Sequence, residues 1–386
     1  MMANRFQRPR PVQDARHGIV YRNDSEFAAW AFLGGLWLGA DGDVVAAFTR
    51  NDCVYTSPDD VHHDMLSVSR GRVSTIRSSD GGESWDEASL RTVFDMSTSA
   101  EDIAANGPPD YGQEEPVDFL DKNVFILSGA VPAHFVPTAR PWISLSSDGG
   151  RSWRRPVVLP LGGLHSLSGQ GSTSVRSDGV SLIALTSVTP DGWTRRPLVY
   201  ASANGGQSWQ FLSFITPEQD DGTAVSAKQG SPRFGAHRYF YPCPLPLRNG
   251  RILCSMRSQR DPTSVLWTEM FESEDGGRTW HFLSRVNDWG APGDIVEMAD
   301  GRIVCVYGYR LAPYGIRARV SEDGGRSWGS ELILRDDGGS WDLGYPRVIE
   351  VKPGLLLTTY YMNTRDDPIQ LNGGVRHIAR TFFRPD

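Results

Sequence analysis

Arginines recur where apolar, strand-like segments end: Arg50 closes FLGGLWLGADGDVVAAFTR (32–50), Arg257 closes GRILCSMR and Arg310 closes GRIVCVYGYR. A guanidinium stays charged at physiological pH and offers a planar fork that grips a carboxylate through two hydrogen bonds, so such positions suit an anionic ligand. Tyr345 opens the last apolar segment in DLGYPRVIEV, and Arg347 stands two residues on. Strand alternation predicts that both side chains share one side, where the cation would stabilise a phenolate. The loop after Arg50 reads TSPDDVHHDMLSVSR, in which Asp60 and the triplet His62, His63 and Asp64 concentrate titratable groups. Such a group fits a site or a polar loop, but it is too closely spaced for a convincing metal centre. No metal and no cofactor is expected. Glu114 and Glu115 in GQEEPVDF are adjacent acids of the kind that serve general acid/base chemistry. His237, Arg238 and Tyr241, in HRYFYPCPL, combine polar and aromatic types that suit sugar binding.

These residues need a scaffold, and a repeat supplies it. Five octets, SSDGGESW (78–85), SSDGGRSW (146–153), SANGGQSW (202–209), SEDGGRTW (273–280) and SEDGGRSW (321–328), share Ser-x-Asp-x-Gly-x-Ser/Thr-Trp. Their starts lie 68, 56, 71 and 48 residues apart, which suits four short strands plus loops. The chemistry of the octet is that of a hairpin turn: the carboxylate accepts backbone N–H groups and the glycines supply positive φ. The Trp is expected to anchor each outer hairpin to its own blade. Asn204 replaces the Asp in the third octet, which a turn tolerates and a catalytic acid would not. Six apolar segments folding about a turn alternate with the octets, at 32–50, 117–129, 172–188, 241–257, 294–310 and 345–361. Several carry the Asn-Gly or Asp-Gly pairs favoured in two-residue hairpins. Each predicts the inner half of a blade. The sixth unit lacks an octet and ends in VRHIARTFFRPD, one strand short, so ARHGIVYRN near the N-terminus is expected to complete it. The expected fold is therefore all-β: a six-bladed β-propeller with four antiparallel strands per blade, spanning 16–386 as one domain after an extension over 1–15.

Composition agrees with this class. The chain has 386 residues, with 41 Gly and 25 Pro for many turns, and a net charge of -7 without the basic stripe that nucleic acid requires. Neither a secretory h-region nor an apolar run of membrane-spanning length is present, so no membrane partner and a cytoplasmic location are expected. Cys53, Cys243, Cys254 and Cys305 lie in or beside apolar segments and read as reduced, buried thiols. Nothing in the residues signals an oligomeric state.

The octets, the inner hairpins and their order resemble the sialidase superfamily, whose six-bladed propellers carry this same Asp-box, and the resemblance covers nearly the whole chain. It implies a glycoside hydrolase acting on a terminal, acidic or modified sugar of an oligosaccharide or glycoconjugate, held in an axial cleft by arginines. It casts Arg257 and Arg310 as members of the carboxylate-binding cluster, with Arg317 an alternative to Arg310, and Tyr345 as the nucleophile, phenols being the sialidase exception among glycosidases. It places the acid/base in the loop after Arg50, with Asp64 first and Asp60 second. The sequence departs from the family pattern in two places. FAAWAFLGGLW lacks the first cluster arginine, and Tyr241 stands where the family has a glutamate, so Glu114, Glu115, Asp294 or Glu297 must assist Tyr345. Arg50, Arg347, His63, His237, Tyr241 and Asp294 complete the expected substrate contacts. Two further readings stay open: a propeller that only binds carbohydrate or protein, and a uronate-processing lyase using a Tyr/His pair near an arginine, either Tyr241 with His237 or Tyr345 with His165.

Overall fold

The computed structural model describes residues 8–30, 34–61, 63, 71–106, 115–132, 136–168, 172–190, 195–217, 237–260 and 265–385. Six sheets form a six-bladed propeller. In blade 4 the chain runs outward through His237–Pro246, Ile252–Arg260, Val265–Ser273 and His281–Arg285, each strand antiparallel to the last. Blade 5 repeats this with Gly293–Glu297, Ile303–Tyr309, Gly315–Ser321 and Leu332–Arg335. Blades 1 and 3 split the innermost strand into two pieces that pair with one neighbour: Glu26–Ala29 with Gly35–Leu38, and Leu167–Ser168 with Thr173–Val175.

Two blades depart from the expected four strands. Blade 2 has three among the described residues, Phe125–Val131, Arg140–Ser146 and Val157–Val158. The segment expected to form its inner strand turns away instead, because the Val117 amide donates to the Gly205 carbonyl of the next blade. Blade 6 takes Gly344–Lys352, Leu355–Met362 and His377–Phe383 from the C-terminus, and Arg16–Tyr21 pairs antiparallel with His377–Phe383 as its fourth strand. This blade cannot carry an octet, since its third and fourth strands come from opposite ends of the chain. The short strand Arg10–Pro11, inside the expected extension, pairs in parallel with Leu332–Arg335 of blade 5.

Middle strands such as Val44–Asp52 and Ile303–Tyr309 are almost continuously buried. Each blade has neighbours on both faces, so these strands read as unbroken apolar runs, with no polar alternation. All four cysteines are buried and free.

Every octet folds into the same turn, in which the third residue gathers the donors. In blade 1 the Asp80 carboxylate accepts from the Glu83 and Ser84 amides and from the Ser78 and Ser84 hydroxyls at 2.5–2.9 Å. Asn204 accepts the Ser208 amide at 3.0 Å in the same way, so the charge is dispensable to the geometry. The octets do more than close their own blades. Gly82 has φ +97°, and a Cβ there would lie 2.5 Å from Leu357 of blade 6. Trp280 and Trp328 donate their indole N–H to Ser213 and Ser284 of the preceding blade, both at 3.0 Å. Guanidinium groups from the preceding blade also reach octet carbonyls: Arg380 to Glu83, Arg77 to Gly149, Arg176 to Gly276 and Arg251 to Gly324. Each octet is thus an inter-blade staple, where a clamp within one blade was expected.

Candidate active site at the propeller mouth

Strand register assigns the two ends of the propeller. Ile252 pairs with Ser273 at the end where the octets and the inner hairpin turns lie, whereas Phe240 pairs with Arg257 near the other. That second end is the mouth.

Three aromatic residues stand at irregularities of the inner strands there, and all three have left-handed backbones: Trp30 at φ 54°, Tyr241 at 54° and Tyr345 at 51°. Non-glycine residues in this region cost roughly 1–3 kcal/mol each and persist only where the surroundings impose them, a pattern that clusters at functional sites. Register shifts between Phe240 and Cys243, and between Gly344 and Arg347, fall on the two tyrosines, and Trp30 sits between the two pieces of the blade 1 inner strand. These bulges turn the ring that follows each strand entrance onto the axis. The three aromatics join one buried cluster, although they belong to blades 1, 4 and 6.

The Tyr241 and Tyr345 hydroxyls meet at 2.9 Å, with the rings edge to face. Burial, and then the neighbouring Tyr345, push the Tyr241 phenol well above its ordinary value, so it is neutral. Arg257 lies over the Tyr241 ring at 5.8 Å, and Arg310 over the Tyr345 ring at 5.2 Å. Neither has a carboxylate within ion-pair distance among the described residues. Arg310 donates Nε to the Leu343 carbonyl at 3.2 Å and Arg257 donates to the Gln259 side chain, while Arg310 Nη2 and Arg257 Nε are buried without an acceptor among the described residues. Arg195 and Arg238 gather with Arg257 about the Phe240 ring, at 4.8, 5.3 and 5.3 Å. Arg257 and Arg310, without a carboxylate partner among the described residues, create a positive field at the mouth that suits an anion.

A second group stands beside the tyrosines and centres on Asp342. Its carboxylate accepts from His63 Nδ1 at 2.6 Å and the Tyr361 hydroxyl at 2.6 Å, and it pairs with Arg376 Nε at 3.2 Å. Burial alone would raise this carboxyl, but the hydrogen bond from His63 and the charges of His63 and Arg376 outweigh it and hold Asp342 well below the usual range. An ionised Asp342 makes Nδ1 the protonated nitrogen and leaves Nε2 for other work. The His63 ring lies 6.4 Å from that of Tyr345, 6.0 Å from Trp30 and 5.4 Å from Trp341. Trp341 is 48% exposed, whereas Tyr345 is 1% exposed.

Several expected site residues do other work. Arg347 does not share the side of Tyr345, because the bulge interrupts the alternation; it pairs with Asp294 at 3.1 Å. Asp294 also accepts the Val348 amide at 2.8 Å and the Cys243 thiol at 2.8 Å, 4% exposed, which joins blades 4, 5 and 6. Arg50 pairs with buried Glu26 at 3.0 Å, and Arg317 with buried Glu331 at 2.8 Å. Glu115 is exposed at the octet end, where its carbonyl accepts from Arg154, and Glu297 lies at the same end against Arg248. Asp60 is exposed and bonded to Thr56, and His165 is exposed before blade 3. Asp64, Glu114 and His62 lie outside the described residues, as does the side chain of His237, which opens the blade 4 inner strand. Asp342, Tyr361, Trp341, Trp30 and Arg376 escaped sequence reasoning. Only the Trp-Asp pair immediately before the Leu-Gly-Tyr that opens blade 6 could have drawn attention to the first of them.

A BNR repeat-like domain profile matches residues 121–357, well over half of the chain. A Dyadobacter fermentans protein of unknown function superposes with a TM-score of 0.70 at 18% identity, covering 97% of this chain and 100% of its own. Trypanosoma rangeli sialidase in complex with sialic acid gives 0.60 at 15% identity, covering 98% of this chain and 60% of its own. The Penicillium chrysogenum α-L-arabinanase complexed with arabinobiose gives 0.56 at 12% identity, over 96% and 98% of the two chains. At these identities the likeness is one of fold. In sequence, a Paenibacillus xyloglucanase is 32% identical over 103 residues, 26% of this chain and 9% of that protein, so the chain spans only a small part of its curated relative. The chain belongs to the BNR repeat-like family, whose profile covers more than half of it, and it folds as a six-bladed propeller.

Proposed function

We propose that the chain is a glycoside hydrolase that removes a terminal anionic sugar from an oligosaccharide or glycoconjugate. One observation carries the reading: Arg257 and Arg310, both without a carboxylate partner among the described residues, flank the hydrogen-bonded Tyr241–Tyr345 pair. In this reading the guanidinium groups hold the sugar carboxylate and Tyr345 presents its oxygen to the anomeric carbon, with Tyr241 orienting that oxygen. A neutral phenol suits this task because a second anion would repel the substrate. Since Tyr345 is 1% exposed, the substrate reaches it once the 48% exposed Trp341 turns aside.

The test is a panel of aryl glycosides, acidic (sialosides and uronosides) against neutral. Turnover confined to acidic members and lost in Arg310→Met supports the reading; equal turnover of neutral members, or none at all, overturns it. A second reading, β-elimination from a uronate, draws on Arg310 lying over Tyr345 with the His63 ring 6.4 Å away. A Tyr/His pair beside an arginine is what removal of an acidic C–H proton needs. An unsaturated, ultraviolet-absorbing sugar product would select elimination, and a saturated reducing sugar hydrolysis.

A further inference from the structure

We infer that His63 and Asp342 form a dyad that carries the proton of the bond-breaking step, with His63 a catalytic residue and Asp342 its positioning residue. The inference rests on the hydrolase reading and adds to it the identity of the acid. Asp342 is 2% exposed and its carboxylate is bound from three sides by His63, Tyr361 and Arg376, so it is fixed in place and is not itself presented to a substrate. What it presents is the imidazole. With Nδ1–H donated to the carboxylate, Nε2 is the nitrogen that can meet a ligand, the arrangement by which an aspartate orients a histidine acid/base. Among the described residues, the His63 ring is bordered by Trp30, Trp341 and Tyr345, which keep water from the transfer path, and its side chain retains 27% exposure for contact with substrate. Arg310 lies over two of those three rings, at 5.6 Å from Trp341 and 5.2 Å from Tyr345. The carboxylate of a bound sugar and the proton donor would therefore meet at one point of the mouth.

The step balances as follows. The bond from the anomeric carbon to the leaving oxygen breaks as the Tyr345 oxygen bonds to that carbon; the leaving oxygen keeps the electron pair and takes the proton from protonated Nε2, while the phenolic proton of Tyr345 passes to solvent by way of the Tyr241 hydroxyl. Water then displaces the Tyr345 oxygen from the anomeric carbon, its proton returns to Nε2, and the Tyr345 oxygen regains a proton from solvent by the same path, so the dyad and the phenol are regenerated and one water is consumed per sugar released. No oxidant, metal or further reactant is required.

The experiment compares two acidic glycosides of the same sugar, one with an activated nitrophenyl aglycone and one with a methyl aglycone, in wild type, His63→Gln and Asp342→Asn. An aglycone that leaves readily needs little help from an acid. We expect His63→Gln to lower kcat/KM for the methyl glycoside by roughly 10²–10⁴-fold, the range of general acid catalysis, and for the nitrophenyl glycoside by less than about tenfold. Exogenous imidazole should restore part of the loss. Asp342→Asn should show the same dependence on the aglycone with sugar affinity retained in calorimetric titration, a pattern that a merely structural aspartate would not produce. If both aglycones lose equally in His63→Gln, with Tm unchanged and no rescue by imidazole, the dyad is not the proton carrier and the hydrolase reading stands. If wild type turns over neither acidic glycoside, the hydrolase reading itself fails.

Discussion

The octet end and the mouth of this propeller use the same residue types to opposite ends. At the octets the third-position acceptor is consumed locally: Asp275 takes the Arg278 and Thr279 amides at 2.9 Å and the Thr279 hydroxyl at 2.7 Å, and the guanidinium groups nearby reach carbonyls of the adjoining blade. At the mouth, Arg257 and Arg310 rest on aromatic rings with buried nitrogens left over. What sets these two cations apart is the lack of a carboxylate within ion-pair distance among the described residues, which suits them to an anion from outside. The Arg347–Asp294 pair, just behind the tyrosines, shows that the deficit is selective, since a carboxylate is supplied there.

The contrast can be broken first at Arg310. Replacing it by Met should abolish turnover of acidic glycosides, about 10²-fold or more in kcat/KM for loss of a charged contact worth ~3 kcal/mol. The same variant should melt no lower than wild type, because no carboxylate is orphaned; calorimetry that finds it strongly destabilised would end the argument. Arg347→Met should do the reverse. It leaves Asp294 buried and unpaired, which costs on the order of 3–5 kcal/mol, read as a fall in the urea midpoint, and it sets an upper bound on what a satisfied pair contributes.

Smaller effects should appear at the octets. Asp275→Ala removes an acceptor of four hydrogen bonds and should cost about 1–2 kcal/mol in chemical denaturation. Asp275→Asn should cost a few tenths of that, about 0.5 kcal/mol or less, because Asn204 already serves blade 3 in the same role. The pH dependence is the subtlest. Burial tends to raise the Asp275 carboxyl, but its hydrogen bonds with Thr279, Ser273 and Arg278 outweigh that and lower it from 3.8 to about 2. A folded-state value below the unfolded one gives stability that is present above the unfolded value and lost as pH falls through the folded one. The octet contribution should therefore fade between about pH 4 and pH 2, and Asp275→Asn should flatten that limb of the midpoint curve.

Much of the fold was legible because the octets announce themselves through local chemistry: an Asp or Asn, a glycine pair and a Trp at set spacing dictate one turn wherever they occur. The missing octet of blade 6 and the completing role of Arg16–Tyr21 followed from counting strands. Blade 2 was misread because Val117 donates to an octet carbonyl of the next blade, a partner that no local pattern names. The site was legible only in part. Arg257, Arg310, Tyr241 and Tyr345 were singled out from their places at strand ends and His63 from a loop dense in titratable groups, and these five lie together at the mouth. The alternation that promised Arg347 beside Tyr345 failed at a bulge whose cause is tertiary, and Asp342 carried no signal because its partners lie 279, 34 and 19 positions away along the chain.

The sequence by itself determined the repeat, the turns and which strands are buried on both faces, since these depend on neighbours within a few residues and on the periodicity of apolar side chains. Only the tertiary structure decided which arginines would have a carboxylate and which would not. Pairing is settled by what the ring of blades brings within about 4 Å, and residues from blades 1, 4, 5 and 6 become neighbours only once that ring has formed.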